Sequence, residues 1–196
     1  MSRSSPALAA GVLCLGLSGC ALALGGGHAP TTYDLIAPRS FAAASKPAKW
    51  QLVVNEPTAV HALETDRIMV RPSADKVSYF KGVAWSDRLP RLVQVRMIET
   101  FQNSGAVKAV SNSSGEYSLS TELRAFQIDA SGGRAAADID IFAKLVDNKT
   151  SKVVASKGFT ARVTATSDEP TAGVAALNQA FTEVLQDSTQ WVSQHR

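Results

Sequence analysis

The chain has 196 residues, 45% of them apolar, with 20 Lys and Arg against 17 Asp and Glu and a net charge of +3. That is one domain's worth of sequence with apolar material enough for a core, which argues against a disordered or low-complexity chain. The near-balanced charge, with no basic cluster interleaved by aromatics, argues against a nucleic-acid partner.

The first residues carry a processing signal. Arg3 precedes an apolar run, Leu8–Leu17, too short to span a bilayer, and small residues follow it. Leu17-Ser18-Gly19-Cys20 is similar to a bacterial lipobox. The resemblance implies a signal peptide over 1–19, cleavage before Cys20, a thioether lipid on its sulfur and acylation, by palmitate, of its new amino group. Cys20 is therefore the expected lipid-attachment site, and several acyl chains anchor the chain without any helix crossing the membrane. Ala21, where Asp would signal retention at the inner membrane, points to the periplasmic face of the outer membrane. Cys14 leaves with the signal, so the mature fold has no free thiol and no disulfide to hold it. Residues 20–32, with Gly25-Gly26-Gly27 and Pro30, read as the lipidated cysteine and a flexible tether of roughly 20 Å mean span. The domain proper is expected over 33–196.

Strand signals come first. Leu52-Val53-Val54 is a short apolar run stopped at Pro57. Arg67–Arg71 alternates, Ile68 and Val70 against Arg67, Met69 and Arg71, and Pro72 should end it. Lys76–Lys81 is a third short strand. The period then changes: Leu89, Leu92, Val93, Met97 and Phe101 recur at helical spacing. Ser86 is the expected cap, Asp87 sits in the first turn, Pro90 is tolerated there, and Gly105 is the stop. The pattern predicts a helix over Asp87–Gln102.

Val107–Val110 is a short strand and Glu116–Asp129 a long one. Tyr117, Leu119, Thr121 and Leu123 share one face, after which the apolar parity shifts to Phe126 and Ile128. One extra residue produces such a shift, so a bulge is expected near Ala125. Gly132-Gly133 turns the chain into an alternating strand from Ala135 to Leu145, and Asp147-Asn148-Lys149 turns it again into a strand carrying Val153 to Val163. These three should form an antiparallel meander. A second helix starts at Glu169-Pro170 and carries Val174, Leu177, Phe181, Val184, Leu185 and Trp191 on one stripe. The order gives an α+β domain, with a mainly antiparallel sheet, both amphipathic helices on one face and the other face partly open.

Catalytic signals are weak. His28 lies in the tether, His195 is next to last, and His61 reads as a surface residue. Asp138 and Asp140 share a strand face opposite the apolar stripe and read as solvated rather than as a carboxylate pair. Neither a Gly-x-Ser-x-Gly turn nor a phosphate loop is present. No metal site, cofactor or enzymatic activity is expected.

Several segments in order resemble a known family. They are Tyr33-Asp34-Leu35, Leu52-Val53-Val54-Asn55-Glu56-Pro57, the stretch Leu63 to Arg71 with Thr65-Asp66-Arg67-Ile68, Tyr79 to Trp85, Asp87-Arg88-Leu89-Pro90 and Tyr117-Ser118-Leu119. After a lipobox, they make the chain similar to the ABC-type transport auxiliary lipoproteins over nearly all of its mature length. The resemblance implies a non-catalytic part of an Mce-type lipid transport system, with an Mce-domain periplasmic protein and an ABC permease and ATPase as partners. The lipoprotein would dock that assembly at the outer membrane, with homo-oligomerisation open. Trp85, Asp66 and Arg67 are its candidate partner contacts, although Trp85 reads first as a core aromatic at the helix entry and Asp66 and Arg67 as a local ion pair. A lipid-binding lipoprotein, with an apolar groove between sheet and helices, and a structural assembly lipoprotein of an envelope or secretion complex are the competing readings.

Overall fold

A computed structural model describes residues 29–41 and 48–195. In chain order the elements are β1 (Thr31–Tyr33), β2 (Gln51–Val54), β3 (Thr58–Ala59), β4 (Met69–Ser73), β5 (Lys76–Tyr79), β6 (Val83–Trp85), α1 (Leu89–Ser104), β7 (Lys108–Val110), β8 (Tyr117–Asp129), β9 (Ala136–Asp147), β10 (Lys152–Thr164) and α2 (Pro170–Gln194). No helix among the described residues is long and apolar enough to cross a membrane.

The antiparallel meander β8–β9–β10 is the backbone of the sheet. Its register keeps every inward apolar residue on one face: Leu119 lies opposite Leu145, Leu123 opposite Ile141, Phe126 opposite Ile139. The register slips between Leu123 and Ala125, where the shift of apolar parity places the bulge. A second slip, between Val153 and Ala155, has no comparable mark in the sequence.

The sheet is mixed, and this corrects the expectation of a mainly antiparallel one. Strand β2 runs parallel to β7 on one side and β8 on the other, and β3 and β4 also pair β8 in parallel. The reason is the connection. Helix α1 carries the chain back along the sheet before β7 starts, and a crossover of that kind delivers parallel strands where a tight turn delivers antiparallel ones. A separate two-stranded parallel ribbon, β1 with β6, closes the entry of the chain; Thr31 donates its N–H to Gly82 O at 2.9 Å. Ordered pairing thus begins at Thr31, inside the 20–32 segment. Three-residue strands such as β1 and β6 hold too few alternations to register as a pattern.

Two local expectations move. Helix α1 runs Leu89–Ser104 rather than Asp87–Gln102, and Arg88 takes the cap position with no side-chain bond. Ser86 caps nothing: its N–H goes to Tyr33 O, and Asp87 Oδ1 accepts the N–H of Arg88. The Ser86 backbone is held by the β1 ribbon, and no side chain caps the helix. Pro72 does not end β4 but lies within it, at a break in register between Val70 and Ser73 where no ladder bond needs its missing N–H. Met69, expected on the polar side, is buried there beside Ile68.

Both helices lie on the apolar face. Leu92, Val93, Met97 and Phe101 of α1, and Val174, Leu177, Phe181, Val184 and Leu185 of α2, join Leu52, Val54, Leu119, Phe126, Ile139 and Ile141 in one continuous core. Gly105 ends α1 in the left-handed conformation, φ 62°, that a side chain disfavours. Gln94, buried in the α1 stripe, is satisfied by donating to Val54 O and accepting from Arg91.

Candidate interaction surfaces

Cys20 and the tether up to residue 28 lie outside the described residues. Trp85 is a core residue, 3% exposed. Its ring meets Phe126 edge-on at 6.2 Å, Phe126 meets Phe181 at 5.5 Å, and the backbone N–H of Trp85 donates to Asp66 O at 2.7 Å. It therefore ties β6 to β8 and α2, and its indole is not offered to a partner. Asp66 and Arg67 are exposed but do not pair with each other. Arg67 instead lies 3.7 Å over the ring centroid of Tyr79, whose hydroxyl donates to Ala62 O. Asp66 Oδ1 accepts from Thr65 Oγ1. The two side chains are drawn to different neighbours, one aromatic and one hydroxyl.

The helix-free face of the sheet is polar and held by ion pairs. Arg162 on β10 reaches Asp129 of β8 at 2.8 Å and Asp138 of β9 at 3.9 Å, and Gln127 donates to Asp138. The hydroxyl and N–H of Ser131, together with Arg162, hold the Asp129 carboxyl down at about 2. Asp138 thus belongs to a structural network rather than to a catalytic pair. Further along, Phe142 is covered by Arg124, 4.2 Å from its centroid, with Lys144 beyond at 5.9 Å. A hollow of about 370 Å³ opens beside it, lined by Asn55, Glu56, Ser120, Glu122, Phe142 and Lys144. Its origin is a mismatch in the parallel edge. Residues 55–57 separate Val54 from Thr58, while only 120 and 121 separate their partners Leu119 and Glu122. The Thr121 hydroxyl beside it is buried without a hydrogen-bond partner.

A second, wider hollow lies at the end of the sheet where β2, β7 and β8 begin. It measures about 610 Å³ and is rimmed by Lys49, Lys108 and Lys149 together with Gln51, Glu116 and Asn148. Its frame is tightly bonded. Asn148 donates to Gly115 O at 2.7 Å, its own N–H goes to Glu116 O, and Ser118 Oγ donates to its Oδ1. Gln51 donates through its side chain to Ser114 O and through its N–H to a Glu116 oxygen at 2.7 Å. The close approach needs a glycine: a Cβ on Gly115 would stand 2.7 Å from Gln51 O. Sequence reasoning missed this cluster, since its lysines are far apart along the chain and only the Gln51–Lys108 pairing and the β9–β10 turn gather them.

No group of three His, Cys, Asp or Glu among the described residues is placed to hold a metal. His61 is exposed. Both hollows carry charged side chains and open on the sheet.

A family model described as "ABC-type transport auxiliary lipoprotein component" matches residues 33–187. An uncharacterized protein of Bradyrhizobium diazoefficiens is 35% identical over 173 residues, which cover 85% of this chain; the chain spans 46% of that relative's length. The crystal structure of protein XCC0632 from Xanthomonas campestris, of family DUF330, superposes with a TM-score of 0.80 at 28% identity, over 84% of this chain and 95% of that one. A hypothetical protein of Chlamydia trachomatis, CT253, shares the fold at a TM-score of 0.53 and 6% identity, over 76% of this chain and 98% of that one.

Proposed function

The chain belongs to the ABC-type transport auxiliary lipoprotein components, and from that membership we propose that it is a non-catalytic docking protein of an Mce-type lipid transport system. On this reading Cys20 carries the lipid, residues 21–30 are the tether, and the domain receives a periplasmic Mce-domain protein of an ABC permease and ATPase complex at the outer membrane. The observation that carries it is the family match over 33–187, which starts shortly beyond Cys20 of Leu17-Ser18-Gly19-Cys20. The fold is in keeping with a docking role. Trp85, Phe126 and Phe181 are spent inside the core, while the outer sheet face is charged and braced.

The test is photocrosslinking in the native bacterium from exposed positions, Arg67, Lys108 and Lys149, with Cys20→Ala as control. Crosslinks to an Mce-domain protein or its permease, lost together with transport in Cys20→Ala, are the expected result. Crosslinks only to the protein itself or to another envelope machine would sink the transporter reading. Fractionation of the membranes tests the address separately: the wild type should run with the outer membrane and Ala21→Asp with the inner one.

A further inference from the structure

We propose that the lysine-rimmed end of the domain is the docking surface for an acidic, extended protein segment carrying apolar residues. The inference rests on the docking reading above for the existence of a partner, and on this end of the fold for its chemistry.

Charge is the first observation. Every ion pair among the described residues is made by an arginine; Lys49, Lys108 and Lys149 are exposed and pair with no carboxylate. The one acid on the rim, Glu116, is already engaged by the N–H of Gln51. Three ammonium groups from three separate segments thus converge on one hollow, with Lys108 acting on the Glu116 carboxylate and Lys149 on that of Asp147 from beyond ion-pair distance. The frame beneath them is locked by Asn148, Gln51 and Gly115, so a ligand would meet a preorganised surface.

Apolar exposure is the second. Val153 and Val154 are 55% and 50% exposed, among the most exposed large apolar residues described. They lie directly after the β9–β10 turn that holds Lys149, on the outermost strand of the sheet, at the register slip. Open strand edges accept an added strand. A partner segment alternating carboxylates with apolar side chains satisfies both features.

Position is the third, and it sets the hollow apart from the point where the chain enters. The chain enters at β1, which pairs β6, and Trp85 of β6 packs on Phe126 near the far end of β8. The lysine hollow sits at the start of β8, eleven residues from Ile128, roughly 36 Å away at the rise of a strand. The lysines therefore stand at the end of the sheet opposite the chain entry. A second copy of the chain, itself net positive, is a poor electrostatic match.

The test uses the full lipidated chain in phosphatidylcholine nanodiscs and a fluorescent decapeptide of alternating Glu and Leu, read by anisotropy. Binding that weakens steeply as salt rises is expected. The triple variant Lys49→Glu/Lys108→Glu/Lys149→Glu should bind about tenfold more weakly, with Lys→Gln at the same three positions in between. Val153→Ser/Val154→Ser should cost a few-fold, and Lys76→Glu/Lys81→Glu, near the chain entry, nothing. Circular dichroism checks that each variant is folded. No binding by the wild type, or equal binding by the folded triple variants, would overturn the proposal. So would lysine-dependent binding to phosphatidylglycerol vesicles without peptide binding, which would make this end a lipid-headgroup surface. Because the probe is not a transporter subunit, peptide binding that survives a failed crosslinking experiment leaves this inference standing and removes only the transporter.

Discussion

The two faces of the β8–β10 meander use the same strands for opposite ends. On the covered face, Leu119, Leu123, Phe126, Ile139, Ile141 and Phe159 are nearly inaccessible and meet the two helices. On the open face, neighbouring positions hold Arg124, Asp138, Lys144 and Arg162, engaged with rings and carboxylates at the surface. The covered face is where folding free energy is concentrated, because removing apolar area from water is worth far more than exposed ion pairs are. The open face and the sheet end are left free for recognition.

That contrast can be broken at graded cost. Phe126→Ala removes the ring between Trp85 and Phe181 and should destabilise by about 3–5 kcal/mol in urea unfolding. A loss under 1 kcal/mol would mean that the covered face is not the seat of stability. Gly115→Ala forces a methyl against the Gln51 carbonyl and should cost about 1–3 kcal/mol, while also loosening the lysine hollow. Asp129→Asn should cost about 1 kcal/mol at neutral pH, the half-exposed Arg162 partner being screened. The pH dependence has a defined sign. The Asp129 pKa falls from an ordinary 3.8 to about 2 on folding, so its contribution is complete above about pH 5 and is lost as pH falls through about 2. The wild-type advantage over Asp129→Asn in thermal melts should shrink across that window and be constant from pH 5 to 7. Smallest of all, Arg124→Ala uncovers Phe142 and should cost about 0.5–1 kcal/mol. A larger loss would make the open face a structural element in its own right.

The meander, its first bulge and both helices are legible in the chain because burial is written at a fixed period. Tyr117 to Ile128 shows period two with one slip, and Val174 to Leu185 shows the helical stripe. Both helix ends carry local chemistry, Pro90 and Pro170 early and Gly105 late for the first. The lipobox-like Leu17-Ser18-Gly19-Cys20 is legible for another reason: motifs of that kind are linear, defined by neighbours along the chain. The surfaces were less accessible. Trp85, equally readable as core or anchor, is resolved only by the ring of Phe126, forty-one residues on. The adjacent Asp66 and Arg67 suggest an ion pair, yet Tyr79 captures the guanidinium.

By itself, then, the sequence determined the α+β class, the antiparallel trio and the amphipathic helices, since each follows from side chains near one another along the chain. Tertiary structure alone decided that β2 inserts in parallel between β7 and β8, that the Ser86 N–H bonds the β1 ribbon, and that Lys49, Lys108 and Lys149 share one hollow. Those outcomes depend on which distant segments meet. Local propensity carries no record of a partner sixty residues away, so they become visible only once the core has closed and set the register of every strand.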